Sequence, residues 1–593
     1  MSFFRLGREG YARCGVRFLP QVVTWLFLLC QALGSATEQA PAAQPADLHL
    51  LNGHIYTSNP AEPWVESLAI SGEKILAVGS ARQIAPYRAP KTRVIDLAGR
   101  MVMPGLIDSH THFLAGSEGL SWVQLETAAT AREVTERIRI YSLSHSKLTW
   151  VRGSGWLYGI FPPTGLPTKE LLDEAVPDRP AALVSYDMHS LWVNSRALAL
   201  AHITRKTPDV FVNGVVVGMI VHDVKTGEPT GLLKEAAMAL VERVMPEPPR
   251  EDELATLRAG MAEANRLGLT AVVNATGDLH EMELYEELHK RGELTLRTTT
   301  AFAHEAVPHR LTPEELQGFE EARQRFHDDW VRAGLIKFFA DGVVETHSAA
   351  MLEPYADDSR LLGSTNYTPE EFGKFVMELD RRGFQIMTHA IGDRAVRMTL
   401  DAYQAAETKN GERDRRFRIE HIETINPSDI PRFGQLGVIA SVMPFHLCLG
   451  GCPNQGGVWA RNLGEARLRS AFAWHDLLES GAHPAFGSDW PVASLNPFLA
   501  IQTAVTRQDL QGKPPEGWFS QQKLTLDQAL AGYTRNAAFA ASFDERIGSI
   551  EPGKLADLIV LSQNLFDVPA IKIGETKVQL TIVGGKIVWR AEP

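Results

Sequence analysis

Apolar and polar residues follow three different rhythms along this chain. From Leu48 to about Gly105, short apolar runs broken by Gly, Asn and Pro (LHLLNGHIYT, SLAISGEKILAVG, TRVIDLAGRMVMPG) predict hairpin-linked strands. The same grammar returns after Arg546 in GSIEPGKLADLIVLS and QLTIVGGKIVWR. The two ends are therefore expected to build one β-sandwich between them. In the middle, strand-length apolar runs occupy Thr270 to Asn274, Thr295 to Phe302, Leu335 to Ala340, Gln385 to His389, Phe417 to His421, Val438 to Met443 and His483 to Gly487. Segments with apolar residues three and four apart separate them, such as ATLRAGMAEANRLG from Ala255 and DRAVRMTLDAYQAA from Asp393, a helical period.

Strand and helix in alternation imply a parallel sheet. With MVMPGLIDSH ahead of them the runs number eight, which closes an α/β fold of the (β/α)8 TIM-barrel type. About 150 residues separate the first run from the second, far more than one crossover helix needs. An inserted substructure is expected there, at about 120–250, with a fold the pattern does not specify. The reading gives 1–36 as a signal peptide, 37–46 as a linker, 47–104 and 546–593 as the two parts of the sandwich, and 105–545 as the barrel with its insertion.

The first segment has its own chemistry. Arg5, Arg8, Arg13 and Arg17 precede an apolar run from Phe18 to Leu33, followed by the small residues Gly34, Ser35 and Ala36. This is signal-peptide layout with cleavage expected near Ala36. The run is shorter than the roughly 20 residues that span a bilayer, so no stable membrane insertion is expected after cleavage; an uncleaved anchor is the alternative. Export implies a periplasmic or extracellular protein. The 593 residues are 44% hydrophobic with a net charge of −12 and no long Lys/Arg run, which argues for a globular protein and against a nucleic-acid partner. No sequence feature points to an oligomeric state. Cys14 and Cys30 fall in the targeting segment; Cys448 and Cys452 could close a small disulfide loop or be two buried thiols.

Candidate chemistry collects where the middle runs end. His110 and His112 alternate in DSHTH, so both imidazoles can face one point inside a barrel. His389 and His421 end two further runs, and Asp489 ends the last, in HPAFGSDWP. The carboxyl ends of barrel strands carry the chemistry of this fold. Neutral imidazole and carboxylate suit zinc and similar divalent ions, and Asp489 could serve as a general base, against the plainer reading of a helix N-cap. Lys337 lies in the apolar LIKFFADG, where burial would free its amine for reaction with carbon dioxide; a pairing with Asp341 or Glu345 is the alternative. His189, Glu235, Trp156, Tyr158, Phe445 and Trp490 are pocket candidates that could equally be packing.

The phrases MPGLIDSHTHF, LWVNSRAL, IKFFADG, THAIGDRAV, RIEHIE, GSDWPV with LNPF, and EPGKLADLIVL occur in that order. The series resembles the metal-dependent amidohydrolase superfamily, in its amidohydrolase-3 branch with the YtcJ-like hydrolases and N-substituted formamide deformylase. The resemblance implies one or two divalent metal ions, with zinc expected. It would place His110 and His112 on one ion, His389 and His421 on a second, Asp489 as ligand and proton shuttle, and Lys337 as a carboxylated bridge. It also implies hydrolysis of a non-peptide C–N bond, an amide or cyclic amide of a small molecule. Deamination of a heterocycle is the alternative chemistry, and a non-catalytic envelope binding protein the alternative class. Two departures from relatives stand near the expected pocket: Met443 precedes Pro444, and Thr346, His347 and Ser348 follow Glu345.

Overall fold

The computed structural model describes residues 44–592, apart from 163, 213–214, 305–310 and 450–456. Eight strands form the central sheet: β1 (Leu106–Thr111), β2 (Leu269–Gly277), β3 (Arg297–Ala303), β4 (Val331–Phe339), β5 (Gln385–Ala390), β6 (Arg418–His421), β7 (Ile439–Val442) and β8 (Ala485–Phe486). They lie in sequence order, and every neighbouring pair is parallel. Past the end of β8 the chain meets β1: Asp489 N–H donates to the His110 carbonyl and His112 N–H to that of Trp490, both at 2.8 Å. The ring of strands is thereby drawn together at the end where the candidate residues sit.

Period two decides which side chains face in. On β4, Ile336 and Phe338 pack outward among helix residues such as Phe372 and Val376. Leu335 joins Ile107, Val273 and Met387 in a separate apolar cluster, stoppered by Ala537 and Ala538 of the helix Arg535–Ala540. Lys337 and Phe339, in phase with Leu335, line the cavity above that plug. The helices expected from the 3.6 period appear as Arg250–Arg266 and Asp393–Asn410.

The flanks form two sheets over a shared core. A four-stranded sheet joins Lys74–Gly79, Ser67–Ser71, Leu48–Leu51 and Arg93–Asp96. A six-stranded sheet joins Lys586–Arg590, Val578–Val583, Leu558–Leu561, Met101–Pro104, His54–Tyr56 and Trp64–Val65. Leu50, Leu68 and Ile70 from the first meet Val102, Leu558 and Ile582 from the second. The run MVMPGLIDSH is thus two strands, divided at Gly105. A Cβ there would lie 2.2 Å from Thr270 Oγ1, so only glycine lets the chain pass from sandwich to barrel against β2.

The insertion after β1 is a mixed seven-stranded sheet in the order Val210–Val212, Val215–His222, Pro229–Glu235, Ser190–Val193, Ala181–Ser185, Val151–Trp156 and Val123–Gln124. It has its own buried apolar clusters. Among the described residues no helix is long and apolar enough to cross a membrane. The signal-peptide segment and Cys452 lie outside the described residues.

Candidate metal centre

His110 and His112 leave β1 with their Nε2 atoms toward Asp489 Oδ1, at 3.4 and 3.0 Å. Each ring is held by its other nitrogen. His110 Nδ1 lies 2.5 Å from Glu420 Oε2, and His112 Nδ1 lies 2.6 Å from Thr276 Oγ1. With both Nδ1 atoms as donors, both Nε2 lone pairs point to the carboxylate, the arrangement that outer partners impose on metal-binding histidines. Glu420 is fixed in turn by Arg418 of the same strand, which donates to it through Nε at 2.7 Å and Nη2 at 2.9 Å. Burial raises the Glu420 carboxyl, and Arg418 and His110 outweigh that and hold it well below the usual carboxylate range. Asp108 binds the neighbouring backbone, accepting from His110 N–H at 3.1 Å and Ser488 N–H at 3.0 Å.

The other Asp489 oxygen, Oδ2, faces His421 Nδ1 at 3.9 Å and His446 Nε2 at 3.8 Å. Burial keeps His110 down at about 4 and His389 at about 3, with the Lys337 charge adding to both. Those imidazoles are neutral at physiological pH and have lone pairs to give. Asp489 is pushed up by burial, yet His112, His110 and His421 around it outweigh that and hold it well below its usual value. His421 Nδ1, His446 Nε2 and Asp489 Oδ1 are buried with no hydrogen-bond partner. Unsatisfied polar atoms at such depth cost about 1–3 kcal/mol each unless a ligand occupies them, and a cation fits this donor set.

His389 Nε2 donates to the Gly342 carbonyl at 3.1 Å, and its ring packs on that of His421 with centroids 4.5 Å apart. Lys337 is fully buried, with Nζ 3.3 Å from His110 Nε2, and burial draws its pKa down to about 8. The alternative pairings for Lys337 are not made: Asp341 accepts backbone N–H groups of Ala350, Ile391 and Gly392, and Glu345 accepts from Tyr186 OH. Nor is Asp489 a helix cap, since Asn496 caps the following helix, Pro497–Thr506. Strained backbone gathers at the site: His421 (φ 72°), Ile422 (φ 50°), Asp489 (φ 59°) and Glu235 (φ 52°) are all left-handed. Each costs about 1–3 kcal/mol, a pattern of functional sites. It explains how His421 reaches the centre although Glu420, its neighbour on an alternating strand, does so too.

Above these residues opens a cavity of about 980 Å³, lined by the barrel ends and by the insertion. Of the six pocket candidates, His189 and Glu235 line it and are paired, Nδ1 to Oε2, at 2.9 Å. Burial opposes a charge on His189, but Glu235 outweighs it and raises the imidazole to about 10. The other four are not among the lining residues. Trp156 is a core residue of the insertion, packed on Phe161 and Trp192 with its Nε1–H donated to the Leu183 carbonyl. Tyr158 packs on Trp156 and donates to Ser190 Oγ. Phe445 packs against the main core, and Trp490 stacks edge-on to Phe113. His347 pairs with Asp357 at 2.9 Å on its loop.

Sequence reasoning missed Glu420, Thr276, Glu423 and His446. Glu420 was visible in phase with Arg418 on β6. His446 lies beyond β7 in the turn Pro444–Cys448, where no period sets direction.

The profile of the amidohydrolase family matches residues 93–589. Protein LONG AFTER FAR-RED 3 of Arabidopsis thaliana is 34% identical, over 92% of this chain and 92% of its own. N-substituted formamide deformylase of Arthrobacter pascens is 27% identical over 91% of this chain and 98% of its own. A metal-dependent hydrolase of Pyrococcus horikoshii OT3 superposes with a TM-score of 0.70 at 25% identity, covering 88% of this chain and 99% of that one. A match of this extent, over a barrel whose strand ends carry this His and Asp set, makes the chain a member of the amidohydrolase family.

Proposed function

We propose that this protein hydrolyses a non-peptide C–N bond, an amide or cyclic amide of a small molecule, using one or two divalent cations, zinc foremost. The observation that carries the reading is the convergence of His110 Nε2 and His112 Nε2 on Asp489 Oδ1 at 3.4 and 3.0 Å. Imidazole and carboxylate are zinc ligands by type. The resemblance adds His389 and His421 on a second ion and Lys337 as a carboxylated bridge. A buried lysine 3.3 Å from His110 Nε2, without a carboxylate partner among the described residues, supports that role. The full-length likeness to a formamide deformylase supports the bond type.

A cation held here supplies Lewis acidity, polarising a carbonyl and lowering the pKa of water toward roughly 7. The chain does the rest. Asp489 accepts the proton of the attacking water on a carboxylate oxygen and returns it to the leaving nitrogen, base first and acid second. Glu420 and Thr276 keep the two β1 histidines in one tautomer throughout. His189, charged through Glu235, faces the substrate space from the insertion and can hold a polar substrate group. For localisation we propose export, from the layout of residues 1–36; N-terminal sequencing of secreted protein should begin near Thr37.

The test is a panel of N-substituted formamides and lactams offered to the zinc-loaded protein beside Asp489→Asn. We expect hydrolysis by the wild type and a loss of about 10²–10⁴-fold in kcat for the variant, the usual worth of a positioned proton carrier. Full turnover by Asp489→Asn would overturn the scheme.

A further inference from the structure

The two oxygens of Asp489 face two different sets of nitrogens. Oδ1 is turned to His110 Nε2 and His112 Nε2, and Oδ2 to His421 Nδ1 and His446 Nε2. In each set the ligand atoms lie within 4.8 Å of one another, close enough to hold one ion. We propose that His446, from the turn after β7, is a further ligand of the second divalent-cation pocket, beside His421 and facing Asp489 Oδ2. The inference rests on the hydrolase reading above and adds His446 to the ligand set of its second ion.

Three observations converge on His446. Its Nε2 is buried without a hydrogen-bond partner, as is His421 Nδ1, and both face the same carboxylate oxygen. The side chain is only 8% exposed, so water does not satisfy that nitrogen. Its far nitrogen, Nδ1, faces Glu423 Oε1 at 3.8 Å, and Glu423 is anchored by the Trp459 indole N–H at 2.7 Å. An anchored carboxylate thus stands on the Nδ1 side of His446, at 3.8 Å, as Glu420 anchored by Arg418 stands on that side of His110, at 2.5 Å. A carboxylate behind the ring orients a histidine toward a metal on its other side. His389 donates its Nε2–H to the Gly342 carbonyl, which leaves the Nδ1 lone pair free, and it meets His421 ring to ring.

The test reads metal, not turnover. Wild type, His446→Ala and His446→Gln are stripped, reloaded with Co²⁺, desalted, and assayed for cobalt per chain and for visible cobalt absorption. We expect two equivalents in the wild type and one in both variants, with the affinity of the remaining equivalent unchanged. Retention of that equivalent also reports that the variants are folded. Two equivalents in both variants, or one in the wild type, would overturn the role of His446 in the second pocket and leave the first intact. No cobalt in any of the three would overturn the hydrolase reading as well.

Discussion

Glu420 is not among the residues lining the cavity and is not a candidate ligand, yet it sets the donor face of His110 and neutralises Arg418, both fully buried. Removing one partner of a buried pair leaves an uncompensated charge, at a cost of about 3–5 kcal/mol. Glu420→Ala should therefore lower stability by that order in chemical denaturation. Its zinc affinity should fall about 10–100-fold, the usual effect of losing an outer partner. Wild-type affinity in a competition titration would show that His110 needs no orientation. At this scale the sequence was legible where a residue ended a strand: period two fixes the direction of His110, His112, Lys337 and His389. It was illegible in turns. His446 and Glu423 follow strand ends, and only long-range packing decides where they point. For Trp156 and Tyr158 pocket and packing stayed open for a related reason, since an aromatic residue lining a wall and one filling a core leave the same trace in a sequence.

Among the elements, the approach of β8 to β1 is the tightest part of the centre. A Cβ on Gly487, just past β8, would lie 2.6 Å from His110 Cβ and 2.8 Å from its backbone nitrogen. Neither neighbour is a flexible side-chain end, so Gly487→Ala must displace β1 or the segment that carries Asp489. The variant should fold, because overpacking of one methyl costs typically about 1–3 kcal/mol, while its metal content and turnover fall together. Unchanged metal content in Gly487→Ala would show that the β1–β8 contact does not set ligand geometry. The eight strands and their helices were readable because each carries its own period. The insertion was not, because its sheet pairs strands both parallel and antiparallel, and the order follows from contacts between segments far apart in the chain.

Across the whole molecule, the last residues of the chain hold the foot of the barrel. Arg297 at the start of β3 donates to Asp557 through Nε at 2.6 Å and Nη2 at 3.0 Å, and both side chains are buried. Asp557 also accepts from Gly584 N–H at 2.8 Å, so one carboxylate ties barrel to sandwich. Asp557→Ala should destabilise the protein by about 3–5 kcal/mol without changing metal affinity, since the pair lies in the sandwich seam and not among the residues lining the cavity. A drop in metal affinity equal to that of Glu420→Ala would contradict this separation. That both termini would form one sandwich was legible from repeated hairpin grammar, and the expected boundary between 104 and 105 falls where Gly105 separates the two sheets; that MVMPGLIDSH holds two strands and not one barrel run was not legible, because nothing local marks a change of partner.

The central claim is that hydrolysis depends on cations held by the strand-end histidines and Asp489. The most direct test follows one substrate that the wild type turns over. Hydrolysis is measured before chelation, after removal of metal, and after zinc is restored, with metal content and folded state followed in the same samples. The account predicts loss of activity in step with metal, retention of the fold, and recovery on adding zinc. Unchanged turnover by folded, metal-free protein would contradict it.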